Sequence, residues 1–163
     1  MGRLFKYVHH QVASDHLVLP LLIIAFQSGL LDATTAADFR TFASNQTGNV
    51  IYLTVGIANA AVINMKNTGS SLGSYILSGF IGGKIGWKVG HRLKLWLFMS
   101  HLLQTLFLLV VYVLLKSGVI QVNNLDHQWI LLILFGSSAG FQVSLARNVG
   151  VNEIPTAMLS SPL

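Results

Sequence analysis

The sequence predicts an all-α, polytopic transmembrane helix bundle, and three observations predict it. Hydrophobic residues make up 53% of the 163-residue chain and charged residues only 9%. A soluble domain carries about 25% charged residues, so a water-facing surface cannot be built from this composition. The mean hydropathy is +0.64. The apolar residues gather into five segments separated by polar turns, near 16–36, 47–66, 70–90, 93–115 and 129–147. The length fits one membrane domain over 1–163 rather than two.

The same composition excludes several chemistries. Without cysteine there are no disulfides, thiolate metal sites or cysteine nucleophiles. The net charge of +5, from ten Lys/Arg against five acids, fits cytoplasmic loops beside anionic headgroups. No aromatic-interleaved basic patch points to nucleic acid. The expected partners are the lipid bilayer, other membrane helices or a second copy of the chain, and an unidentified small solute. Nothing calls for a cofactor.

Residues 1–15 form a polar, basic tail. Leu4, Val8 and Val12 are spaced for a short interfacial helix, with a frayed tail as the alternative. The apolar run starts too late for a secretory signal, and no cleavage site follows it. His9, His10 and His16 lack the carboxylate or thiol partners of a metal site.

In the first segment Asp15 can cap the helix, and Pro20 sits in the first turns, where a missing N–H costs least. Its purely apolar run, Leu17 to Phe26, is ten residues, whereas a span needs roughly 20. The span must therefore take in Gln27, Ser28, Gly29 and Asp32. A carboxylate at the bilayer centre costs about 2.5–3.5 kcal/mol on insertion scales. Asp32 is expected to face other helices or a wet cavity.

The second segment extends over Thr47–Lys66 to reach spanning length. Asn45 or Thr47 is placed to cap it, and Gly48 gives the backbone freedom to turn. Asn45-Gln46-Thr47 also reads as a glycosylation sequon, but its place at a membrane helix start argues against use. In the third segment Ser70, Ser74, Ser78, Gly82, Gly86 and Gly90 recur every four residues, a small-residue face that lets another helix approach closely. The fourth, Leu93–Leu115, is the cleanest span. Its His101 and Gln104 share a face, as interhelical hydrogen-bonding groups or as a proton or substrate site. The fifth carries Gly136 and Gly140 and closes with Gln142 and Arg147. The polar end, 148–163, reads as the start of a further helix.

If all five segments cross, one side carries Arg3, Lys6, Lys66 and Lys116, and the other Arg40, Lys84, Lys88, Arg92, Lys94 and Arg147. The denser cluster then belongs in the cytosol and the amino terminus outside. The first and fifth segments also end alike. Ser28-Gly29 and Asp32 precede Thr47, as Ala139-Gly140 and Gln142 precede Thr156. On that count the two helices run the same way, as in a duplicated transporter unit.

The stretch from Phe26 to Asn49 holds the most specific chemistry. The opening N–H groups of the second helix lack intrahelical acceptors and carry the positive end of the helix dipole. A solute oxygen or an anion can dock there; ordinary capping by Thr47 and Asn49 is the alternative. Asp32 and Arg147 can pair across the bundle. No cysteine nucleophile, zinc motif, Gly-x-Ser-x-Gly elbow or phosphate loop is present, so no catalytic residue is assigned. Two functions compete: a small-solute transporter or channel-like protein, and a scaffold or assembly subunit associating through Ser74, Ser78, Gly82, Gly86 and Gly90.

The run GLLDATTAADFRTFASNQTGN, with GFQVSLAR and EIPTAM later, resembles the YoaK-like family of uncharacterised integral membrane proteins, especially its fungal members. The resemblance runs from about Asp15 to the carboxyl end. It implies a polytopic all-helical protein with no assigned activity. On its pattern Asp32, Asn45, Gln46, Thr47, Gly48 and Asn49 match a first motif, and Gln142, Arg147, Pro155 and Thr156 a second. Members of that family continue past the Pro-Thr element, whereas this chain stops at Leu163, as a truncated copy would.

Overall fold

The computed structural model describes residues 18–59, 63–89, 93–121 and 127–149. They form five α-helices: α1 Val18–Phe39, α2 Gln46–Ile57, α3 Met65–Val89, α4 Lys94–Lys116 and α5 Gln128–Val149. The 1–15 tail, Gly90, Pro155 and Thr156 lie outside the described residues.

The fold is all-α, as the composition requires. Among the described residues, three helices are long and apolar enough to cross a membrane: Leu19–Phe39, Lys94–Lys116 and Gln128–Arg147. The chain is to that extent consistent with a membrane protein. α5 is the central helix, with 61% of its apolar window buried against 17% for α1 and for α4. Leu131 and Leu132 are fully enclosed, in a cluster with Phe39, Ala43, Val111, Ile120 and Phe135.

The second segment departs most from expectation. It stops at Ile57, after only twelve residues. At 1.5 Å per residue it is about 18 Å long, well short of the roughly 30 Å hydrocarbon core, so it does not span. The apolar run Ala58–Ile63 invites a longer helix. However, Asn59 takes a left-handed φ of 54°, which ends the helix. α1 ends in the same way, at Arg40 with φ 49°.

α3 begins at Met65, five residues earlier than the sequence reading, with Asn64 Oδ1 accepting from the Asn67 N–H at 3.2 Å. It lies along α5, and the contacts keep step: Asn67 with Gln128, Ser71 with Gly136, Tyr75 with Gly140, and Gly82 with Ser144. The two helices therefore run parallel. A Cβ on Gly140 would strike the Ser78 hydroxyl and the Tyr75 carbonyl, so glycine there sets how closely the backbones approach. The buried face of α3 runs through Asn67, Ser71, Tyr75, Ser78, Gly82 and Gly86, with Thr68 buried beside Asn67. Its steps of four are broken by a step of three between Tyr75 and Ser78, as 3.6 residues per turn demands. A strict four-residue stripe drifts off that face, which leaves Ser74 only half-buried.

Helix directions overturn two expectations. α1 meets α5 through Ser28 with Gln142 near one end and Phe39 with Phe135 near the other. The pair is antiparallel, not parallel. α2 is antiparallel to α3, with Asn49 on Ser71 and Gly56 beside Met65. It therefore continues in the direction of α1 instead of crossing back. Counting the second segment as a full crossing is what produced the parallel echo. It also misplaced the start of α1, which lies at the same end of the bundle as Lys84, Lys88, Lys94 and Arg147. Arg40 lies away from that cluster.

Candidate functional site

The site is the interruption between α1 and α2, residues 40–45. Phe39 packs on Phe135, seven residues into α5. The break is thus about 10 Å below the end of the bundle. Backbone polar groups at that depth need partners from the protein, and side chains from three helices supply them.

Asp32 and Thr35 reach down from α1. Asp32 lies on the inner face with Ser28, Thr35 and Phe39, at helical steps of four, three and four. One Asp32 oxygen accepts the Ser44 N–H at 2.7 Å and the other accepts the Ser44 hydroxyl at 2.6 Å. Thr35 Oγ1 accepts the Ala43 N–H at 3.2 Å. From α2, the Asn49 side chain holds Phe42 at both ends: Oδ1 accepts its N–H at 2.9 Å and Nδ2 donates to its carbonyl at 2.8 Å. Nδ2 also donates to Gln46 Oε1 at 2.8 Å. From α3, Ser71 donates to the Phe42 carbonyl at 2.8 Å, and Thr68 shares a hydroxyl contact with Thr41 at 3.2 Å. Asn49, Thr41, Thr68 and Ser71 are fully buried.

The opening turn of α2 is closed by its own sequence. Asn45 is the cap, its side chain accepting from the Gly48 N–H at 3.2 Å. Thr47 is exposed and plays no part in this. Gln46 Nε2 donates to the Ala43 carbonyl at 3.0 Å. Gly48 is needed for space, not for a turn: it lies inside the helix, and a Cβ there would come within 2.6 Å of the Phe42 ring. Phe42 stacks on Tyr52 at 5.5 Å and 12°. The turn is thus capped by Asn45 and not by the Thr47 and Asn49 pair expected to do so, since Thr47 is exposed and Asn49 turns to Phe42.

The remaining candidates lie elsewhere. Gln142 bridges α5 to α1, donating to Ser28 Oγ at 2.5 Å. Arg147 makes no pair with Asp32, whose two oxygens are held by Ser44, and borders a groove between α3 and α5 instead. Sequence reasoning missed Thr35, Thr41, Ser44, Thr68 and Ser71. Only Thr35 carried a local signal, three residues beyond Asp32 on the same face. Among the described residues, no three His, Asp or Glu side chains gather as a metal site.

These residues fall inside a known sequence pattern. The family described as "Protein of unknown function (DUF1275)" matches residues 20–163. The chain belongs to that family. No curated protein and no solved structure matches it. Within the DUF1275 match fall every helix from Pro20 onward, the whole break, and both motifs first seen in the sequence.

Proposed function

We propose that this DUF1275 protein is an integral, multi-pass membrane protein that moves a small polar solute, with the break between α1 and α2 as its working part. The observation that carries this reading is the discontinuity itself. Two helices run in one direction, interrupted by an irregular segment about 10 Å deep, beside an ionisable side chain. Transporters place substrate sites at such broken helices, where irregular backbone is tolerated because it borders a cavity or is enclosed by protein. In the closed arrangement the Ser44 N–H and hydroxyl occupy the Asp32 carboxylate. A solute bearing N–H or O–H donors would exchange with them when the loop opens.

Four crossings fit this reading: α1, α4 and α5, with α3 alongside α5 and long enough to span at about 37 Å. α2 starts at the break and runs out to the end where α3 begins, with Gly56 beside Met65, so it extends the crossing of α1 and adds none. The positive-inside preference would put Lys84, Lys88, Lys94 and Arg147 in the cytosol, together with the start of α1. Kinship with the YoaK-like members, fungal ones in particular, rests on the FASNQTGN run and agrees with this assignment. The scaffold alternative has less support, because α5 of the same chain covers Ser78 and Gly82.

The test is flux into proteoliposomes holding the full chain, with a panel of inorganic anions, amino acids and sugars. Uptake of at least one class is expected, with loss in Asp32→Ala. If no member of the panel moves, and Asp32→Ala folds and works normally in cells, the reading fails.

A further inference from the structure

The groove that Arg147 borders lies between α3 and α5, encloses about 280 Å³, and is lined by Tyr75, Ile76, Gly79, Gly83, Val143, Ser144 and Arg147. Four features give it a chemical character. Its floor is bare: a Cβ built on Gly83 meets nothing within 4 Å. Its wall continues into an apolar surface, with Ile76, Leu77 and Phe80 exposed at 60%, 61% and 60%, which in a membrane protein face acyl chains. Tyr75 is only 5% exposed, yet its hydroxyl has no hydrogen-bond partner. A buried polar atom left unpaired calls for an occupant the protein does not supply. Finally, Arg147 is exposed at the end of the bundle where Lys84 and Lys88 also stand, and its charge is within electrostatic reach of the Tyr75 hydroxyl.

We propose that this groove holds an anionic phospholipid, its phosphate on Arg147, an ester carbonyl accepting from the Tyr75 hydroxyl, and an acyl chain along Ile76 and Val143. The groups follow one another as in the lipid: Arg147 stands at the end of the bundle, Tyr75 lies further in, level with Gly140, and Ile76 and Leu77 open the groove at that level onto acyl chains. Basic pockets between membrane helices take up anionic headgroups for this reason. Asp32 also acts on Tyr75 at a distance, but its oxygens are committed to Ser44, so it does not compete for Arg147. The inference stands whether or not the break transports anything.

The experiment is native mass spectrometry of the full chain in detergent, titrated with phosphatidylglycerol or phosphatidylcholine. Phosphatidylglycerol should bind at least about tenfold more tightly, and Arg147→Gln should remove that preference, since one charge-assisted contact is worth about tenfold. Gly83→Leu puts a side chain into the groove at a position whose Cβ meets nothing within 4 Å, and it should abolish binding of both lipids. It carries the test if Arg147→Gln fails to fold. Tyr75→Phe should weaken both lipids alike, because both bear the ester. Lys84→Gln, a charge beside the groove but outside it, should change little. The proposal is overturned if Gly83→Leu binds phosphatidylglycerol normally, or if Lys84→Gln loses as much as Arg147→Gln. Displacement of the lipid by millimolar inorganic phosphate would overturn it too, assigning the site to a free anion.

Discussion

The break between α1 and α2 and the inner face of α4 are both polar stretches sealed within the bundle, and they treat their polar groups in opposite ways. At the break, Asp32, Thr35, Asn49 and Ser71 each hold a loop backbone group or hydroxyl at hydrogen-bonding distance. On α4, Trp96, Ser100 and Gln104 lie at successive four-residue steps and are 8%, 3% and 7% exposed. Their Nε1, Oγ and Nε2 atoms have no partner. Where water is excluded, a polar group either builds structure or stands in wait. The break is built; the α4 row is not. Removing a side chain should therefore cost much at the first and little at the second.

The largest effect is expected at Asn49. Asn49→Leu keeps the branched shape but strips the Phe42 N–H of its acceptor and buried Gln46 Oε1 of its donor, while the Phe42 carbonyl retains Ser71. Each unsatisfied buried group costs about 1–3 kcal/mol, so the loss should be roughly 3 kcal/mol, read from denaturation in detergent. A value under 1 kcal/mol would erase the contrast. Asp32→Ala comes next, at about 2 kcal/mol, because two hydrogen bonds to a charged acceptor go together. Asp32→Asn should lose about half as much, since its remaining oxygen still accepts from Ser44. Equal losses would mean that charge, and not hydrogen bonding, holds the loop.

Arg40 sharpens the comparison from the other direction. A left-handed backbone costs a non-glycine residue about 1 kcal/mol, so Arg40→Gly should stabilise the protein by up to that amount in the same assay. The smallest effect belongs to the α4 row: Gln104→Leu should be neutral or slightly stabilising, because it removes a polar group that has no partner. A loss near that of Asn49→Leu would show that Gln104 is as much part of the architecture as the break is.

Much of this contrast could be read in the sequence, though not its geometry. Helix ends at Phe39, Lys116 and Val149 fall within three residues of the expected segments, because long apolar runs announce themselves. That Asp32 must face other helices or a wet cavity is legible, since a carboxylate in so apolar a stretch admits little else. Its partner was not visible. Ser44 is twelve residues away on a loop, and Arg147 was the more obvious charge. Ser71 comes to Phe42 across 29 residues, a contact that only the packing of α3 determines. The early stop of α2 was hidden because Ala58–Ile63 is apolar while the terminating feature is a backbone angle at Asn59. That single miss reversed the expected direction of α5 relative to α1.

The central claim is that the break lies inside the bilayer. The chain has no cysteine, so one introduced at exposed Thr47 can carry a fluorophore, with another at Ser117 as a shallow reference. Quenching by lipids brominated at different acyl positions reports depth. The account predicts that the Thr47 label is quenched best by bromines deep in the chain and the Ser117 label by those near the glycerol. Equal, shallow quenching at both positions would place the break at the surface and contradict it.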